Sequence, residues 1–217
     1  YSHDYLINEI QKFLQQHGKL DLEHDFPYLS KAKISELINE ITRKTAFQGF
    51  YDQQYLNFYT YRSLTQEIEN RAATNNIVDM DVYNEKFGQE NQLKLENYCK
   101  NKYFTSYHEE HKWLTNLGLT RIQQMIQTCK QIGVCDLEKE SEKLRIPVQI
   151  LYSVVKKVFD RSNGFWNKDK DRFYFGKYVR TQIAKIQQES TLEKRDQMIR
   201  DLADDLQIEP EEINQKV

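Results

Sequence analysis

The sequence predicts an all-α fold made of trihelical helix-turn-helix-like units joined by long aromatic-rich helices. Three observations carry this. Apolar residues recur at intervals of three and four along most of the 217 residues. Only three Pro and seven Gly occur, few breakers for a sheet with many turns. Aromatic residues reach 12%, so the chain builds part of its core from large rings, as a disordered chain does not.

Tyr5, Leu6, Ile10, Phe13 and Leu14 share a helical face, and Gly18 ends that helix. Ser30 is placed to cap a second helix lined by Ile34, Leu37, Ile38 and Ile41. Phe47, Phe50, Tyr51, Tyr55, Phe58 and Tyr59 then fall at helical spacing and predict one aromatic stripe on a helix. Residues 74 to 81 read as a linker or exposed loop, and a further helix is expected from about Tyr83 to Tyr107. Ile122 to Cys129 mark a helix stopping at Gly133. Asp136 then caps a short helix to Leu144, and Pro147 opens a third with Leu151, Val154, Val155, Val158 and Phe159 buried. At the C-terminal side, helices carry Tyr178, Ile183 and Ile186, then Met198, Ile199, Leu202 and Leu206, then Ile213 and Val217 behind Pro210. Leu144-Arg-Ile146 and Leu206-Gln-Ile208 lie at matching places, a sign of a duplicated trihelical unit. The expected regions are 1-76, 82-164 with the trihelical unit, and 165-217.

Composition narrows the function classes. Net charge is -2 and mean hydropathy -0.82, so the whole molecule is no electrostatic magnet for nucleic acid. No apolar run approaches the ~20 residues that cross a bilayer, and nothing at the start resembles a signal peptide, so no membrane partner is expected. Cys99, Cys129 and Cys135 are odd in number and widely spaced, which argues for a reducing compartment. Charge is unevenly spread: residues 156 to 185 hold nine Lys or Arg against three Asp, and residues 186 to 217 hold nine acids against four bases.

Enzyme signatures are missing. There is no Gly-rich phosphate loop, no Gly-x-Ser-x-Gly elbow and no His-Glu-x-x-His. His108 and His111 would share a helical face, with Cys99 nine residues before, but a structural zinc needs a fourth ligand and usually a close Cys pair. Surface histidines are the reading, and no metal, cofactor, catalytic residue or small-molecule substrate is assigned. The Phe47, Tyr51, Tyr55 and Tyr59 stripe is assigned to core or to partner binding. On the helix after Pro147, Gln149, Ser153, Lys156 and Lys157 project away from the core. Arg161, Lys168, Lys170, Arg172, Lys177 and Arg180 follow with aromatics between them. Lysine and arginine bind phosphates and release counterions, so these ten residues are the candidate nucleic-acid surface.

The turns at residues 119 to 160 and 177 to 217 look like homeobox-like or Myb/SANT-like units. The Gln-, Asn-, Lys- and Tyr-rich composition, as in QQYLNFYTYRSL, is typical of ciliate proteins. Together they resemble the smaller homeobox-like accessory subunits of the ciliate DNA N6-adenine methyltransferase complex. The resemblance implies a nuclear, non-catalytic subunit that scaffolds methyltransferase-type partners and contacts double-stranded DNA through its backbone. The Asp/Asn-Pro-Pro-aromatic motif of adenine methyltransferases is absent, as a non-catalytic subunit would have it. Two departures count against base-specific readout: residues 151 to 159 hold neither Asn nor Arg, and Trp113 and Trp166 are the only tryptophans. The alternative is a protein-protein adaptor with no nucleic-acid contact; an enzyme with a helical active site is the third class.

Overall fold

A computed structural model describes residues 1–45 and 47–214. It corrects the all-α expectation: the chain is mixed α/β, 62% helical and 15% strand, with three small antiparallel three-stranded sheets. Val217, expected on the last helix, lies outside the described residues.

The elements repeat. A first module runs α1 (His3–His17), β1 (Lys19–Asp21), α2 (Lys31–Lys44), β2 (Gly49–Tyr51) and β3 (Asn57–Thr60). A second runs α3 (Tyr61–Thr74), β4 (Ile77–Asp79), α4 (Asp81–Phe87), α5 (Gln89–Cys99), β5 (Phe104–Glu109) and β6 (Lys112–Thr115). The third runs α6 (Asn116–Ile132), β7 (Val134–Asp136), α7 (Leu137–Leu144), α8 (Val148–Phe159), β8 (Gly164–Trp166) and β9 (Arg172–Phe175). Then come α9 (Gly176–Gln188), α10 (Leu192–Leu206) and α11 (Pro210–Asn214). The sheet orders β1-β3-β2, β4-β6-β5 and β7-β9-β8 are one pattern, with the single strand beside the last strand of the hairpin. Helix, strand, two helices and hairpin in that arrangement is a winged-helix topology. In the first module the helix before α2 is reduced to turns at 22–29.

Equivalent hydrogen bonds repeat with the strands. Thr60, Thr115 and Phe175 each donate a backbone N–H to the residue just before the module's single strand: Gly18 at 2.8 Å, Asn76 at 3.0 Å and Gly133 at 2.9 Å. Leu22, Met80 and Leu137, each just after that strand, donate to Leu56, His111 and Asp171 in the hairpin turns, at 2.9, 2.9 and 2.8 Å. Each single strand ends in an aspartate that accepts backbone N–H groups of the following turn or helix. Asp21 accepts from Glu23 at 2.9 Å, Asp79 from Asp81 at 3.0 Å and Asp136 from Lys139 at 3.2 Å. Tyr55, Glu110 and Lys170 turn the three hairpins with positive φ.

Several helical expectations meet their elements: Ser30 accepts from the Lys33 N–H, and Gly18 ends α1 at φ 71°. Asp136, Leu144 and Pro147 stand at the expected ends around α7 and α8. The two look-alike turns are the same turn. Arg145 and Gln207 both take the left-handed conformation, and the next residues, Ile146 and Ile208, donate back to Ser141 and Ala203 at 3.2 and 3.0 Å.

Three other expectations are corrected. The aromatic stripe is a hairpin, not a helix. Phe50 pairs with Tyr59 and Tyr51 with Phe58, so adjacent rings point to opposite faces of the sheet. Residues 74 to 81, expected as a loop, contain β4, with Val78 and Met80 buried. The long helix expected from Tyr83 is broken at Gly88, whose φ is 83°, and Phe104 to Glu109 is strand.

The chain divides into two compact units, Tyr1–Asn116 and Leu117–Val217. In the first, Tyr51 and Phe58 face the α1–α2 core, while Phe50 and Tyr59 face the second module and meet Phe87, with ring centroids 6.3 and 5.2 Å away. In the second, Phe173 and Phe175 face α8 through Phe159, and Tyr174 on the other face joins α9, α10 and α11 in one apolar cluster. The Tyr174 hydroxyl donates to the Asp205 carbonyl at the end of α10. Burial, opposed by Arg172 and reinforced by Asp205, pushes its pKa up to about 12 from 10.0. A folded state that holds this proton more tightly than the unfolded chain is fully stabilised by it below pH 10 and loses that contribution as pH rises towards 12. The urea midpoint of the second unit should fall over that interval, and Tyr174→Phe should flatten part of the fall; an equal slope in both proteins refutes the assignment.

Candidate partner-binding surfaces

The basic residues singled out in the sequence do not form one surface. Gln149, Ser153, Lys156 and Lys157 lie exposed on α8, and Arg161 follows its end. The amphipathic stripe of Leu151, Val154, Val155 and Phe159 turns them outward. The Ser153 hydroxyl bonds back to the Ile150 carbonyl at 2.7 Å, and the Lys156 ammonium lies 5.7 Å from the Tyr152 ring centroid. Lys168 and Lys170 stand exposed in the turn of the β8–β9 hairpin, joined to α8 by Tyr152 packing against Trp166. Two acids sit among them: Asp160 accepts from the Trp166 indole at 3.1 Å, and Asp169 from Gln207 at 3.1 Å.

Arg172 is half-buried and structural. Its guanidinium lies 3.3 Å from Asp136 and 3.9 Å from Asp205, tying β9 to β7 and α10. Lys177 and Arg180 are exposed on α9, which packs on the sheet face opposite α8. The sheet therefore splits the linear run into an α8-and-hairpin set and an α9 set, with Arg172 engaged by Asp136 and Asp205.

The four aromatic residues assigned to partners also separate. Tyr55 is 63% exposed at the β2–β3 turn and tilts against Tyr51. Tyr51 and Phe47 are half-buried on the first core, and burial pushes the Tyr51 hydroxyl's pKa up. Tyr59 belongs to the second module's core, with the Lys86 ammonium 4.1 Å from its ring centroid. Only Tyr55 presents most of its ring to solvent.

His108 and His111 lie on the β5–β6 hairpin, not on a helix. His108 stacks on Trp113 at 4.2 Å, and His111 faces the Glu96 carboxylate at 3.0 Å, which also accepts from the Trp113 indole at 2.5 Å. Among the described residues no three His, Cys, Asp or Glu side chains gather where a metal ion could be held. Cys99, Cys129 and Cys135 are buried; burial pushes Cys99 up to about 12, which keeps it a thiol.

The grooves of the first unit combine two of the sequence-assigned aromatics, Tyr51 in one and Phe47 in the other, with residues that the sequence did not single out. One, of about 740 Å³, lies between α2 and α5 and is lined by Asn39, Thr42, Gln48, Lys94, Asn97 and Tyr98 over Phe50, Tyr51 and Tyr61. A second, of about 810 Å³, shares Gln48, Tyr61 and Tyr98 and continues to Gln15, Gln16 and Arg62. Apart from Gln48 these side chains come from five elements, α1, α2, β2, α3 and α5, and converge only through the hairpin's packing on the second module. Charged groups on the two flanking helices are largely paired within their own helix: Lys33 with Glu36, Lys44 with Glu40, and Lys94 with Glu90. No helix among the described residues is long and apolar enough to cross a membrane. No protein-family model matches the chain, and no curated protein shows a significant match to it.

Proposed function

We propose that this chain is a non-catalytic adaptor that docks macromolecular partners on its winged-helix modules. One observation carries the reading: the helices α2 and α5, placed where a winged helix makes its contacts, present amides, rings and internally paired charges. Such a surface suits a protein better than a phosphate backbone. The test is cross-linking of the chain to partners recovered with it at physiological salt. Cross-links on α2 and α5 in a complex that survives gel filtration are the expected result; a chain that remains alone sinks the reading.

A second reading is favoured by Lys156, Lys168 and Lys170 on α8 and its hairpin. There the chain would touch duplex DNA backbone, as an accessory subunit of a DNA N6-adenine methyltransferase complex in the nucleus would. This reading expects anisotropy of a labelled duplex to show binding that weakens steeply with salt and is lost on Lys156→Glu with Lys157→Glu. The adaptor reading expects weak binding that the double variant leaves unchanged.

A further inference from the structure

We propose that the open edge of β2 takes an extended peptide segment of a partner protein, which adds to the first sheet as a fourth strand. This rests on the adaptor reading and names the partner's chemistry at one groove.

The sheet order β1-β3-β2 leaves β2 bonded on one side only. Antiparallel pairs alternate between hydrogen-bonded and non-bonded positions. Tyr61 donates to the Gln48 carbonyl at 2.9 Å and Asp52 to the Asn57 carbonyl at 3.0 Å, so residues 48, 50 and 52 point their backbone groups at β3. The N–H and C=O of Gly49 and Tyr51 therefore point the other way. Gly49, Phe50 and Tyr51 are all half-exposed, and all three line the 740 Å³ groove between α2 and α5.

An open edge is a template for another strand, and natural sheets blunt it by shortness, lysine, proline or a bulge. The equivalent β5 has such an irregularity, a register shift between Phe104 and His108. β2 is short, at three residues, but has no register shift and no charged residue. The groove walls fit an extended, uncharged peptide. Asn39, Gln48 and Asn97 each offer a donor and an acceptor, which match peptide groups. Tyr61 meets Tyr98 with ring centroids 5.1 Å apart and offers apolar ring surface for alternate side chains, while the Lys102 ammonium covers Tyr98 at 3.7 Å from its ring centroid. Among the described residues lining the groove Lys94 is the one cation and is paired with Glu90, and the neighbouring Lys102 is held on the Tyr98 ring, so an uncharged segment fits this groove better than an acidic or phosphorylated one.

The experiment is selection of phage-displayed random linear peptides on the purified chain, followed by titration of a synthetic selected peptide. Asn97→Arg, an exposed change at the groove wall, is expected to weaken the peptide roughly tenfold or more. N-methylation at alternate peptide residues should abolish binding, while methylation at the residues between leaves it, the mark of strand pairing. In amide exchange, Gly49 and Tyr51 should become protected when the peptide binds, with Phe50 protected in both states. No selected peptide, indifference to Asn97→Arg, or no alternation in the methylation series overturns the proposal. If instead partners cross-link to the chain but away from this groove, the edge-strand site falls and the adaptor reading stands.

Discussion

Phe159→Ala should cost the second unit about 3–5 kcal/mol, the range for emptying a phenylalanine site in a packed core. Phe159 is 0% exposed, and its ring centroid lies 4.6 Å from that of Phe173, 5.3 Å from Phe175 and 5.6 Å from Trp166. It is thus the plug between α8 and the inner face of the sheet. The three large rings around it cannot collapse into the vacated space without leaving their rotamers, so little of the cavity should close. The chain supplies its own reporters, since Trp113 belongs to the first unit and Trp166 to the second. In single-tryptophan variants, urea melts of Phe159→Ala should move the Trp166 transition and leave the Trp113 transition in place. Equal movement of both would mean that the two units unfold as one cooperative body.

That experiment depends on a sheet that the sequence hid. Helices were legible because their caps and stops are local: Ser30, Gly18, Asp136 and Pro147 each act within one turn. Most strands are only three or four residues long, too short to show alternation against the helical background. The aromatic run 47 to 59 misled for a specific reason. Adjacent pairs such as Phe50-Tyr51 and Phe58-Tyr59 lie 100° apart on a helix and so join one stripe, but on a strand they serve opposite faces. Here the two faces belong to two modules, so both residues of each pair are apolar and no polar alternation appears.

The sequence did carry the repeat, at the single strand of each module. Leu20-Asp21-Leu22, Val78-Asp79-Met80 and Cys135-Asp136-Leu137 are one pattern, with the aspartates spaced by 58 and 57 residues. All six flanking residues are buried, because the strand residue and the residue after the aspartate both enter the module core. A period of that size with a fixed apolar-Asp-apolar signature points to tandem modules. The surfaces were legible only in part. The outward face of α8 follows from its stripe, whereas the separation of Lys177 and Arg180 from it depends on a sheet between. The α2–α5 groove gathers residues from 39 to 98 in sequence, and no local pattern announces it.

The closest correspondence between modules also makes the last prediction. Gly49 and Gly164 open the edge strands β2 and β8, and each lies where a side chain has no room. A Cβ on Gly164 would stand 2.4 Å from the Tyr174 carbonyl oxygen and 2.7 Å from the Phe173 ring. On Gly49 the distances are 2.3 Å to the Tyr59 carbonyl oxygen and 2.4 Å to the Phe58 ring. Those carbonyls belong to the middle strand of each sheet, and the rings beneath them are at most 1% exposed, so relief requires the hairpin to part. Overpacking of this kind costs about 1–3 kcal/mol and more where backbone must move. Gly164→Ala should therefore lower the Trp166-reported urea midpoint alone, and Gly49→Ala the Trp113-reported midpoint alone. Gly88→Ala supplies the contrast: its Cβ would meet nothing nearer than Gln53 at 3.6 Å, so its cost comes from a φ of 83° and not from contact. If Gly49→Ala and Gly164→Ala prove no worse than Gly88→Ala, the hairpins are looser than these distances say, and the edge of β2 is not the rigid template that strand addition needs.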